Sequence, residues 1–228
     1  MFSSVKPVWL TRSAGLAYQV IRNDRRRENT VAAILSSLRN TVIAGFVLAA
    51  VMFVIYYQSQ GYSPTDFGVY FFRWLHVISG VMWIGLLWYF NFVQIPNMPN
   101  IPDDQKPAIG KVIAPAALWW FRWGAMSTIV TGLIVAYMSD YLMSAITLGG
   151  GGAVPKDMFI GLGMWMGAIM WFNVWFVIWP NQKKALGMVE VEADAKAAAA
   201  RTAMLFSRTN TLLSFPMLFS MVAAQNLF

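Results

Sequence analysis

Five long apolar runs, separated by polar or glycine- and proline-rich stretches, set the pattern of this chain: 41–57, 67–95, 116–143, 158–179 and 204–228. About 20 apolar residues in helical form cross the hydrocarbon core of a bilayer. The pattern therefore predicts an all-α integral membrane fold with five transmembrane helices. The second run is long enough to tilt or protrude, and the fourth closes at Pro180. Segment 59–66 is a short connection without Lys or Arg, 96–111 holds Pro96, Pro99, Pro102 and Pro107, and 147–157 holds four consecutive glycines before Pro155. The charged, alanine-rich stretch 182–203 predicts a helix that extends the fifth span on the water side. A basic arm, 1–40, precedes the five-helix domain, 41–228. Trp9 and Tyr18 suit that arm to an interfacial helix. No apolar run opens the chain, so a cleaved signal peptide is not expected.

Composition agrees with lipid as the solvent. Of the 228 residues 58% are hydrophobic and 12% charged, and a soluble domain carries about 25% charged residues. The net charge of +7 reads as a topology signal rather than as a nucleic-acid footprint. Nearly all Lys and Arg fall in the arm and in the loops 96–111 and 182–203, and the other two loops hold one, Lys156. Basic loops stay on the cytoplasmic side. The expectation is a multi-pass protein of a bacterial inner membrane, N-terminus inside and C-terminus outside. The chain has no Cys and one His. That removes disulfides, thiolate metal sites and c-type haem attachment, and no metal site is predicted from this chain.

Polar residues within spans are costly and ask for a reason. Arg73 and His76 share one helix face, and Gly80 continues it. Haem b is the sharp reading of this trio, and a His hydrogen-bonded to a neighbouring helix or touching a partner is the bland one. With one His, a bis-His haem within one chain is impossible. A second group, Asn91, Arg122, Asn173, Arg208 and Asn210, falls in the inner half of the membrane under the expected topology. Paired arginines with amides could bind an anionic ligand, a lipid head group or a quinone carbonyl. The competing reading is interhelical hydrogen bonding with snorkelling arginines. Trp171, Trp175 and Trp179 recur every four residues, which predicts an aromatic stripe facing lipid or a partner, with a stacking wall for a pigment or quinone as the alternative. Gly163 and Gly167 make a small-xxx-small pair for close helix packing. Met164, Met166, Met217 and Met221 read as packing.

Several blocks resemble the urate oxidase N-terminal family, the membrane domain of bacterial cytochrome-c-linked urate oxidase. They are Arg73-Trp74-Leu75-His76 with Gly80, Trp83-Ile84-Gly85 and Tyr89-Phe90; Trp120-Phe121-Arg122-Trp123-Gly124-Ala125 with Thr131-Gly132-Leu133; Asn173-Val174-Trp175 with Ile178-Trp179-Pro180-Asn181-Gln182; and Ser207-Arg208-Thr209-Asn210-Thr211 with Leu213-Ser214 and Pro216-Met217-Leu218-Phe219. The resemblance covers roughly 67–222. Full-length urate oxidases of this family continue into a cytochrome c domain. This sequence stops at Phe228 without Cys-x-x-Cys-His, so any electrons are expected to go to a separate protein.

Two functions follow as expectations. The first is an accessory, anchoring or cofactor-flanking subunit of a larger membrane redox complex, with other membrane subunits and lipids as partners. The second is a membrane-bound urate or purine oxidase that passes electrons to a separate cytochrome c. In that reading Arg122 and Arg208 clamp the anion while Asn173 and Asn210 read its edges. No residue in the group is a convincing general base, and no catalytic residue is assigned.

Overall fold

The computed structural model describes residues 31–61, 63–150 and 155–228, which are helical and contain no strand. The arm residues 1–30, with the expected interfacial helix, and the glycine-run residues 151–154 lie outside them. The chain divides into two units, Met1–Tyr62 and Ser63–Phe228.

In the first unit, helix α1 spans Leu38–Gln60. The Ser37 side chain caps its start by accepting from the Asn40 N–H, and Gly61 ends it in the left-handed conformation at φ +62°. That conformation is open to glycine without a Cβ penalty. Apolar residues surround the helix on every side, as a bilayer-embedded helix requires.

The second unit holds α2 (Pro64–Asn100), α3 (Lys106–Met138), the short α4 (Leu142–Ile146), α5 (Pro155–Ala185) and α6 (Ala193–Asn226). At the start of α2, Ser63 Oγ accepts from the Asp66 N–H at 3.2 Å and donates to its carboxylate at 2.7 Å, with Pro64 at the first helical position. This satisfies an orphan donor where a helix begins. Ser63→Ala is expected to cost about 1 kcal/mol, read as a lower unfolding midpoint in detergent.

Helices α2 and α3 form an antiparallel pair. A Cβ on Gly124 would lie 3.3 Å from the Trp83 backbone nitrogen, one on Gly132 would meet the His76 ring, and one on Gly68 would meet the Met138 methyl. The contacts climb one helix as they descend the other. Helices α5 and α6 pair in the same sense, with Gly163 against Met221 and Asn173 against Asn210. Between the pairs lie Trp83, Leu87, Phe121, Met170 and Val174, all fully buried. Lipid tails are as apolar as these side chains, so close packing and interhelical hydrogen bonds hold such a bundle.

Four helices, α1, α2, α3 and α5, are long and apolar enough to cross a membrane. The expected fifth span belongs to α6, which is a continuous helix but more polar, burying Ser207, Asn210, Ser214 and Ser220. The expected extension on its near side begins at Ala193.

The boundaries differ from the expected ones at prolines. Segment 96–111 is mostly helix, because α2 runs to Asn100 and α3 starts at Lys106. Helix α5 passes Pro180 and ends at Ala185. A widened π turn precedes each proline: Tyr89–Gln94 before Pro96 and Asn173–Ile178 before Pro180. Proline has no N–H and its ring crowds the carbonyl four residues back. The wider turn, closed by Ile95 N–H to Phe90 O and by Trp179 N–H to Val174 O, lets the rod continue. Helix α3 stops at Met138, short of the expected 143, and Asp140 takes a left-handed φ of +57° before α4.

Candidate functional site

Two groups of polar side chains sit within the second unit. The first lies on the α2–α3 seam. His76 Nδ1 is 2.9 Å from the Thr128 carbonyl, with Thr131 Oγ1 at 3.5 Å. A carbonyl can only accept, so Nδ1 carries a proton, and in the neutral tautomer the lone pair lies on Nε2. Nε2 has no hydrogen-bond partner among the described residues. It is also absent from the fully enclosed unpartnered atoms, so it reaches the surface of the unit. The ring lies flat against Gly132, where a Cβ would come within 2.8 Å of Cε1. Gly80, one turn further along α2, has open space where a Cβ would stand. Arg73 is exposed one turn before His76. Beyond the end of α3, burial raises the Tyr141 phenol above its ordinary value, the Arg73 charge opposing this and the Asp157 charge adding to it.

The second group is a layer of amides. Asn173 Nδ2 donates to Asn210 Oδ1 at 2.8 Å, and Asn210 Nδ2 donates to the Met170 carbonyl at 2.9 Å. Asn91 Nδ2 donates to Ser207 Oγ at 2.7 Å and to the Leu87 carbonyl at 2.9 Å. Two residues before Asn210, Arg208 is exposed and makes no hydrogen bond or ion pair among the described residues. Arg122 stacks on Trp179, with Cζ 3.4 Å from the ring centroid, and its Nε donates to the Leu118 carbonyl at 3.2 Å. Trp175 stands beside it, 5.7 Å from Cζ to the centroid. The structure thus brings the three asparagines together with α6. It satisfies Asn173 and Asn210 through one another and places Arg122 on an aromatic face.

Residues 153–226 match the family described as urate oxidase N-terminal. The matched stretch carries Asn173, Asn210 and the α5–α6 pair, so the resemblance read from the sequence is supported there. No curated protein and no solved structure matches the chain.

The tryptophan stripe faces differently from the expected one. Trp171, Trp175 and Trp179 pack against the core while staying partly exposed, and the aromatic residues turned outward on α5 are Trp165, Phe172 and Phe176. A four-residue spacing gives a face but not its direction. The indole Nε1 atoms of Trp83, Trp171 and Trp175 are enclosed without acceptors, as are Asn91 Oδ1 and Gln94 Oε1 without donors. Asn91, Gln94 and Trp175 lie in the π turns, whose backbone sets where those side chains point and leaves no mark in the sequence.

Proposed function

We propose that this chain is a multi-pass subunit of a redox assembly in a bacterial inner membrane, anchoring or flanking a cofactor beside other membrane subunits and lipid. It would cross the bilayer five times, N-terminus inside and C-terminus outside. The observation that carries the reading is the urate oxidase N-terminal match on a bundle of span-length helices whose outer faces stay apolar. Val81, Leu133, Tyr137, Leu212, Phe219 and Val222 all face outward, a surface suited to lipid or to neighbouring subunits. The placement of charge supports the orientation. Gly110, within the stretch bearing Lys106 and Lys111, lies against Leu186, beside Lys183 and Lys184. The two basic loops therefore share one end of the unit, as cytoplasmic loops would.

Native electrophoresis of membranes solubilised in mild detergent tests the assembly. The chain is expected in a complex well above its own 25.6 kDa, and migration alone would overturn the reading. Orientation is checked on a naturally Cys-free background. Asp104→Cys should resist an impermeant maleimide in intact cells, while Thr147→Cys should react, and the reverse pattern would invert the topology.

A second reading, oxidation of urate or a related purine with electrons passed to a separate cytochrome c, is favoured by one observation. The Nη groups of Arg122, held over the Trp179 ring, make no hydrogen bond among the described residues. Donors without acceptors suit an anion. Arg122→Ala is expected to abolish urate-dependent cytochrome c reduction in that case, and unchanged turnover would remove the reading.

A further inference from the structure

We propose that His76 is an axial ligand, through Nε2, of a b-type haem held on the α2–α3 seam. The first ground is the imidazole itself. Its Nδ1–H is committed to the Thr128 carbonyl at 2.9 Å, which fixes the ring's orientation and leaves Nε2 as the basic nitrogen. A ring nitrogen that binds metal is held in this way, its other N–H given to a carbonyl so that tautomer and orientation are set beforehand. The second ground is that Nε2 has been left without a partner. It reaches the surface of the unit, with Val77 exposed next to His76 in the chain and the Thr131 hydroxyl on the facing turn of α3. In a bilayer that surface meets lipid or protein, and an unbonded nitrogen there costs free energy unless something takes its lone pair.

The third ground is space. Gly132 admits the ring in its observed pose, where any Cβ would displace it. Gly80 leaves open room on the same face of α2, where a flat macrocycle can approach. Arg73, exposed one turn before His76, would supply a guanidinium to pair with a haem propionate. A histidine serving only to tie two helices together needs Nδ1 and Gly132, but neither the open Nε2 nor the space at Gly80. The chain supplies no second His, so a bis-His haem here would take its other axial histidine from a partner.

This inference rests on the membrane reading only for its apolar surround, and the two can fail separately. The test is the protein purified from its own membranes with its partners, with haem content read by pyridine haemochrome and by reduced-minus-oxidised spectra. Haem equimolar with the chain is expected. His76→Gly should reduce it to background, and added imidazole should restore the spectrum, which a purely structural histidine would not allow. Arg73→Gln should keep the haem and lower its midpoint potential, because a positive charge that favours ferrous iron is gone. If the His76 variants do not fold, Gly80→Leu decides, since the structure leaves room for its side chain. Loss of haem from that folded variant supports the site and full retention overturns it. A wild-type protein that is membrane-integrated and in its complex but haem-free overturns this proposal and leaves the subunit reading intact. So does haem unchanged in a folded His76 variant.

Discussion

Asn210→Ala is expected to lower the unfolding free energy of the detergent-solubilised protein by about 2 kcal/mol, the larger effect of the two asparagines that meet between α5 and α6. Asn210 is fully buried and works in both directions, accepting from Asn173 Nδ2 and donating to the Met170 carbonyl. Truncation strands a buried donor and a buried acceptor at once, and each stranded group costs about 1–3 kcal/mol when water cannot reach it. Hydrogen bonds between membrane helices measure lower, about 0.6 kcal/mol on average and at most near 1.7, which holds the total near 2 rather than 4. Asn173→Ala should cost less, because Asn210 keeps its bond to Met170. The double variant should cost less than the sum of the two single variants, since the shared bond is counted once. Equilibrium unfolding in a denaturing detergent mixture reads all three. An Asn210→Ala loss below about 0.5 kcal/mol would mean that the amide pair is not closed in the protein.

That pair illustrates what the sequence makes legible. Asn173 and Asn210 are conspicuous because amides are expensive in apolar helices, and chain direction alone puts them at one depth. The helical class and the approximate location of the spans follow from hydropathy in the same way. Helix ends are less visible. Pro180 reads as a stop, yet α5 continues to Ala185 because a π turn carries the rod past the missing N–H. Hydropathy cannot register that adjustment, because it is a property of backbone bonding rather than of side-chain polarity.

The candidate sites are legible as residues but not as arrangements. His76, Arg73 and Gly80 stand on one face by spacing, but Thr128 and Gly132 are remote in sequence. Only the antiparallel α2–α3 register reveals that they fix the imidazole. Arg122 and Arg208 read as a clamp for an anion, whereas Arg122 lies on Trp179 and Arg208 on the surface. The direction in which a side chain leaves a helix depends on neighbours that a single sequence does not name.

Glycine packing gives the other large effect, and with opposite signs at two positions six residues apart on α5. The sequence singles out Gly163 and Gly167 by their spacing. In the structure a Cβ on Gly163 meets only the flexible Met221 side chain, at 3.2 Å, and Gly167 has nothing within 4 Å. The tight position is Gly161, where a Cβ would collide with the Ala145 carbonyl of α4. Backbone cannot swing aside as a methionine can, and Ala145 is itself fully buried. Gly161→Ala should therefore destabilise by about 1–3 kcal/mol, after the gain in helix propensity that Ala brings. Gly161→Val should cost more or detach α4 from α5. Gly167→Ala should stabilise by up to about 1 kcal/mol, since Ala is the better helix former and the space is free. Thermal unfolding of the two alanine variants in one detergent reads the contrast directly. If both lower the midpoint, the α5–α6 face is closed at Gly167 by something outside this chain; if both raise it, α4 does not seat on Gly161.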